Sequence, residues 1–270
     1  MKYELGILGA GNMAEAIARG LIDHQVLPAS QIIAADVSPE RREVFQSKLG
    51  IHAVDNNLDV ARQARAILLS VKPQQMKDAL AGIGTVLQPD QLIVSIAAGI
   101  STSFIENNLQ TTRPARVIRT MPNTPVLVGE GMVALSRGAH ASADDLAAAR
   151  RLFESSARVI EVEERLLDAV TAISGSGPAY VFFLVEQMIR AGIEMGLTPD
   201  HARLLAIQTT VGSAKMLASS TDAPQDLRRK VTSPGGTTHA AITHMETHAL
   251  PAIIVEALHQ AERRGKELGT

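Results

Sequence analysis

The chain has 270 residues, 46% of them apolar and 20% charged, enough to bury one large core or two smaller ones and too apolar for a disordered or collagen-like chain. Its 26 Lys and Arg against 28 Asp and Glu leave a formal net charge of −2 with no basic run, so nucleic acid is not an expected partner. The absence of cysteine excludes disulfides, thiolate nucleophiles, Cys-ligated zinc and iron–sulfur clusters, and 3% aromatic residues with no Trp offer no platform for base stacking.

Met1-Lys2-Tyr3-Glu4 runs within a few residues into a glycine motif, leaving no room for a signal peptide, and no uninterrupted apolar stretch approaches the ~18 residues of a membrane span. We expect a cytoplasmic protein with no membrane partner. From residue 3 to about 162, short apolar runs alternate with amphipathic stretches. The runs are Leu5–Leu8, Ile32–Ala35, Ala66–Val71, Leu92–Ile96 and Arg116–Ile118, and such near-continuous runs predict parallel strands covered on both faces by helices. After Glu163 the period changes to that of long helices, over Tyr180–Met195, Pro199–Leu217 and Leu250–Leu268. The expectation is an α/β fold: a Rossmann-type dinucleotide-binding domain over 1–163, then an all-α dimerisation and substrate domain over 164–270.

The first strand leads into Gly9-Ala10-Gly11-Asn12-Met13-Ala14, a G-x-G-x-x-A turn followed by an amphipathic helix. Gly9 allows the tight turn, Gly11 lets the backbone approach a pyrophosphate, and Ala14 lets helix and strand pack closely. At the end of the second strand Asp36 suits the ribose hydroxyls of NAD, whereas Ser38, Arg41 and Arg42 suit the 2′-phosphate of NADP, and the two signals conflict. Ser38 also reads as a helix N-cap, with Pro39 in the first helical position. Later strand ends bring Val71-Lys72-Pro73 and Ala97-Ala98-Gly99 to the edge where a doubly wound sheet holds its ligand. Lys72 there is either a cation for the cofactor or a solvated loop lysine. The segment Arg119 to Pro125 is a rigid turn that either walls the nicotinamide or serves structure alone.

In the helical half, Ser174-Gly175-Ser176-Gly177-Pro178-Ala179-Tyr180 breaks one helical pattern and begins another, as a cap or as a donor loop for a substrate carboxylate. The stretch Val231–His239 packs four hydroxyls, two glycines and a proline ahead of a helix over Ala240–Met245, which makes either a donor-rich nest for a carboxylate or an elaborate N-cap. His244 and His248 are spaced for one helix face, but H-E-x-x-H is missing, so no metal site is expected.

Taken in order, Gly9–Met13, Val71–Pro73, Ser95–Gly99, Met121-Pro122-Asn123-Thr124-Pro125, Ser174–Tyr180 and Ser233-Pro234-Gly235-Gly236-Thr237-Thr238 resemble pyrroline-5-carboxylate reductase across nearly the whole chain. The resemblance implies reduction of the cyclic imine 1-pyrroline-5-carboxylate to L-proline by NADPH or NADH, in a homo-oligomer assembled from dimers whose helical domains interlock. It makes Asn57 a contact to the cofactor ribose, has Lys72 and Pro73 line the cofactor, and puts the Thr238 hydroxyl near the imine nitrogen. The expected cofactor-binding residues are then Gly9, Gly11, Asn12, Met13, Asp36, Ser38, Asn57, Val71, Lys72, Pro73, Ala97, Ala98 and Asn123. Those for substrate are Ser233, Gly235, Gly236, Thr237 and Thr238, with Thr238 catalytic. Asp36 stands where many members carry a small or hydroxylated residue, which puts the usual NADPH preference in question. A 2- or 3-hydroxyacid dehydrogenase on the same architecture and a non-catalytic dinucleotide sensor are the alternatives. Against the first, Tyr180-Val181-Phe182-Phe183-Leu184 lacks the lysine that hydroxyacid dehydrogenases use to protonate an alkoxide.

Overall fold

The computed structural model describes residues 1–109, 111 and 113–268. From the N-terminus, strand and helix alternate: β1 (Tyr3–Leu8), α1 (Asn12–Asp23), β2 (Ile32–Ala35), α2 (Pro39–Leu49), β3 (His52–Val54), α3 (Asn57–Gln63), β4 (Ala64–Leu69) and α4 (Met76–Leu80). Then come β5 (Leu92–Ser95), α5 (Thr102–Asn108), β6 (Arg116–Pro122), β7 (Gly131–Arg137), α6 (Ala143–Arg151) and β8 (Ala157–Glu161). The rest is helical: α7 (Leu167–Val170), α8 (Gly177–Glu194), α9 (Pro199–Ser219), α10 (Pro224–Lys230), α11 (Thr237–Thr247) and α12 (Leu250–Leu268).

The eight strands form one sheet in the order β3-β2-β1-β4-β5-β6-β7-β8. The five strands expected from the apolar runs are β1, β2, β4, β5 and β6, and all are mutually parallel. Three others escape the apolar pattern. β3 has only three residues, and β7 and β8 carry Gly131, Ser136, Arg137, Arg158 and Glu161. β7 runs antiparallel to β6, with Met121 opposite Ala134 and Pro122 opposite Val133, and β8 runs parallel to β7. The first six strands keep the doubly wound order, reversing direction of growth between β1 and β4.

The period of two along each strand sends alternate side chains to two separate cores. Leu5 and Ile7, Ile32 and Ala34, Leu68, and Leu92 and Val94 join Ile17 and Leu21 of α1, Phe45 of α2 and Leu146 of α6 on one face. Leu8, Ile33, Ile67, Leu69 and Ile93 join Val60, Met76, Leu80 and Ile105 on the other. Each buried Leu, Ile or Phe contributes about 1.5–3 kcal/mol by leaving water, so a sheet covered on both faces can be built with almost no aromatic residues.

By its internal contacts the chain divides into Met1–Ser176 with the residues from Ala261 onward, and Gly177–Gln260. In the first unit, Arg119 on β6 is buried and pairs with Glu164 and Asp168, each at 3.4 Å, while Glu164 also accepts from the Thr102 backbone N–H and hydroxyl at 2.7 Å. This cluster fastens the start of the helical region to the sheet. A π-helical turn, Thr171–Gly175, follows α7. The turn ends at Ser176 and α8 begins at Gly177, so one helical pattern gives way to another within Ser174–Tyr180 as expected, and the run Glu164–Glu194 is long and apolar enough by length and composition to cross a membrane. The sequence pattern missed it because charged and small residues interrupt it.

In the unit Gly177–Gln260, α8 and α9 pack as a pair in which the missing side chain of Gly192 admits Ala202. Most large apolar side chains on these two helices face outward: Phe182 is 67% and Phe183 65% exposed, and Leu184, Leu204 and Leu205, like Ile253 and Val255 near the start of α12, are more than half exposed.

Candidate active site

The parallel strands end together, and backbone bonds extend the ladder past their last residues: Gly9 N–H to Ala35 O at 2.8 Å, Asp36 N–H to Val54 O at 3.1 Å, Ser70 N–H to Leu8 O at 2.8 Å, and Ile96 N–H to Leu69 O at 3.1 Å. Along this edge lie Gly9 to Met13, Asp36, Ser38, Asn57, Val71 to Pro73, Ala97, Ala98 and Asn123. Gly9 has φ +95°, and a Cβ there would lie 2.8 Å from Ser70 O, so only glycine fits. Around Gly11 the opposite holds: a Cβ would meet nothing within 4 Å. That open space lies before the N-terminus of α1, where Gly11 is the N-cap and offers no side-chain acceptor. The first helical bond runs from Glu15 N–H to Gly11 O, so the N–H groups of Asn12, Met13 and Ala14 have no helical partner and the helix dipole favours an anion in front of them. The arrangement fits a dinucleotide pyrophosphate.

Ala10, between the two glycines, is held from both sides. The Asp36 carboxylate accepts its N–H at 2.7 Å and, with its other oxygen, the Ser38 N–H at 2.9 Å. Arg41 Nε donates to Ala10 O at 2.5 Å, and the same guanidinium pairs with Glu15 on α1 at 2.8 Å and lies over the Phe45 ring. Partial burial pushes the Glu15 carboxyl up, but Arg41 and Arg19 outweigh it and hold Glu15 below its ordinary pKa. Ser38 caps α2 as expected, accepting the Arg41 N–H at 3.2 Å, and its hydroxyl donates to Glu40 at 2.6 Å. Arg42 donates to the carbonyls of Asp36 and Val37 at 2.8 and 3.0 Å.

Of the remaining residues at this edge, Lys72 is exposed, extended and without an ion pair among the described residues, and Pro73 opens a short 3-10 turn. Asn57 is the first residue of α3, whose cap is Asn56. Ala97 is buried, while Val71 and Ala98 are half-buried. Asn123 is 8% exposed and its amide is engaged at both ends: Oδ1 accepts the Met132 N–H at 2.8 Å and Nδ2 donates to Ser174 O, in the π turn, at 3.0 Å. Sequence reasoning missed this tie, the Arg119 cluster and the Glu15–Arg41 pair. All three join residues far apart in the chain, and no local pattern announces them.

In the unit Gly177–Gln260, Ser233 to Gly236 form a tight turn closed by Gly236 N–H to Ser233 O at 3.0 Å, with Gly235 at φ +74°. α11 begins at Thr237, three residues before the expected Ala240, because Gly236 serves as N-cap. Thr237 and Thr238 therefore occupy its first turn. Gly236 has no side chain to cap, and the Thr238 hydroxyl makes no hydrogen bond among the described residues. The His244 and His248 rings lie 4.1 Å apart, with His248 Nδ1 2.8 Å from His244 O.

Comparison with known proteins shows the family. The family model described as pyrroline-5-carboxylate reductase dimerisation matches residues 164–268, and that described as NADP oxidoreductase coenzyme F420-dependent matches residues 4–99. The chain is 42% identical over 265 residues to pyrroline-5-carboxylate reductase of Pseudomonas aeruginosa and 39% identical over 266 residues to that of Pisum sativum, covering 98% of this chain and 96% of each relative. Among solved structures, a pyrroline-5-carboxylate reductase from Coxiella burnetii superposes with a TM-score of 0.90 at 34% identity over both whole chains. That of Plasmodium falciparum, with NADP bound, does so with a TM-score of 0.90 at 28% identity, again over both whole chains. On relatives that match from end to end, this chain belongs to the pyrroline-5-carboxylate reductase family.

Proposed function

We propose that this chain reduces 1-pyrroline-5-carboxylate to L-proline with NADPH or NADH, the last step of proline biosynthesis. End-to-end similarity to curated pyrroline-5-carboxylate reductases carries the reading. The glycine turn and the pattern of free donors support it. Gly9, Gly11, Asn12 and Met13 hold the pyrophosphate, with Asp36, Ser38 and Asn57 toward the adenosine ribose and Val71, Lys72, Pro73, Ala97, Ala98 and Asn123 along the remaining edge. When bound, the nicotinamide supplies the hydride that the imine carbon accepts.

A protonated imine already carries its electrophilic charge, so the protein has to orient it and needs no strong acid. The turn Ser233–Gly236 and the uncapped N–H groups at the start of α11 suit the substrate carboxylate. Thr238, whose hydroxyl has no other partner among the described residues, orients the nitrogen. The lack of a lysine in the first turns of α8 speaks against the hydroxyacid dehydrogenase alternative.

Residues 1–163 form the dinucleotide-binding domain in this reading, and 164–270 the dimerisation and substrate domain, supported by the family match over 164–268. Two copies pair through the outward apolar residues of α8 and α9, which accounts for the exposed part of the apolar run 164–194 without a lipid contact. Larger assemblies are built from such dimers, and the protein works in the cytoplasm. Loss of reduced-nicotinamide absorbance on adding 1-pyrroline-5-carboxylate, with equimolar proline formed, tests the proposal. Oxidation of 2- or 3-hydroxyacids in place of imine reduction would replace it.

A further inference from the structure

The β2–α2 connection and the start of α2 hold the groups that suit a 2′-phosphate, namely the Ser38 hydroxyl and the two arginines, and all three are engaged elsewhere. Ser38 donates to Glu40, Arg42 is held by two backbone carbonyls, and Arg41 lies against Ala10 O, the Phe45 ring and Glu15. Asp36, on the other side of Ala10, makes no ion pair among the described residues. The positive charge of Arg41 is thus matched by Glu15, while the charge of Asp36 stays unmatched. A ribose with two hydroxyls can donate to the free lone pairs of Asp36, whereas a 2′-phosphate meets a carboxylate that has no ion pair, with the Arg41 guanidinium turned to Glu15.

We infer that Glu15, in the first turn of α1, is a specificity-determining residue: by holding Arg41 against the glycine turn it withholds that guanidinium from a 2′-phosphate and makes the protein prefer NADH. The inference rests on the dinucleotide reading of this edge. Glu15 acts through Arg41, so its effect is confined to the 2′ position of the adenosine ribose. NADH, which has no phosphate there, is nearly indifferent to it.

Calorimetric titration of the purified protein with NADH, NADPH and adenosine 2′,5′-bisphosphate tests this without turnover. The wild type binds NADH more tightly than NADPH. Glu15→Ala, a change favourable to helix, narrows that gap at least about fivefold and strengthens adenosine 2′,5′-bisphosphate binding by a similar factor, with the NADH affinity within about twofold of wild type. Adding Arg41→Ala abolishes the gain, because the freed guanidinium is what produces it. Glu15→Gln, which keeps the side-chain length, gives a smaller shift of the same sign and serves if the alanine variant is unstable. A wild type that favours NADPH, an unchanged ratio in both Glu15 variants, or a gain that survives Arg41→Ala would each overturn the inference. Failure of the wild type to bind either dinucleotide would instead remove the reading on which it rests, and the inference with it.

Discussion

Thr238→Ala separates chemistry from stability by the sign of its effects. Thr238 is the second residue of α11, the N-cap is Gly236, and the Thr238 hydroxyl makes no hydrogen bond among the described residues. Removing it therefore costs the fold nothing in hydrogen bonding, and Ala is the better helix former by about 0.5 kcal/mol. The folded protein should keep its melting temperature or gain slightly. In the reaction, losing a neutral hydrogen bond to the substrate nitrogen removes about 1–3 kcal/mol of transition-state stabilisation, which lowers kcat/KM about tenfold to a hundredfold. Thr238→Ser keeps the hydroxyl and should restore most of the activity. Steady-state rates with 1-pyrroline-5-carboxylate and thermal denaturation on the same preparations decide it. An alanine variant with kcat/KM within about twofold of wild type, or one whose lost activity tracks a lost melting temperature, refutes the orienting role.

Asp36→Asn keeps one acceptor for the Ala10 or Ser38 N–H but loses the charge, so the NADPH/NADH ratio of kcat/KM should rise by about five- to a hundredfold, equivalent to about 1–3 kcal/mol of relieved repulsion; an unchanged ratio means the carboxylate serves the turn alone. For Gly9→Ala, positive φ costs on the order of 1–3 kcal/mol and the new Cβ presses on Ser70 O, so dinucleotide affinity should collapse along with a fall in melting temperature; near-normal NADH titration would contradict that geometry. Replacing Phe182 and Phe183 together by Glu puts charges into the outward face of α8 and should reduce the mass seen by light scattering, whereas an unchanged mass would place the contact between copies elsewhere.

Legibility in the sequence followed the range of the interactions. The runs that became β1, β2, β4, β5 and β6 were readable because both faces of each strand are buried, and the glycine turn because Gly9 and Gly11 have separate local tasks. β3 and β8 were not readable: one is too short for a period to show, and the other alternates weakly at the sheet margin. The start of α11 was placed late because a glycine N-cap leaves no side-chain signature ahead of Thr237. The conflict between Asp36 and Arg41 over the cofactor could not be settled from the chain alone. The two groups face different partners only in the fold, where Arg41 reaches Ala10 O and Glu15, 26 residues earlier in the sequence.

The margins of the sheet also bear on how copies of this chain can meet. A strand at the end of a sheet presents a row of unpaired N–H and C=O groups, a template on which another chain can polymerise. Here one margin is β3, only three residues long, and the other is β8, five residues with Arg158 and Glu161 along its length. Charged side chains on an edge strand blunt it against a partner strand, and β3 is too short to hold one. Growth by strand addition is thus discouraged at both margins of the sheet, at one by the length of the strand and at the other by its charge.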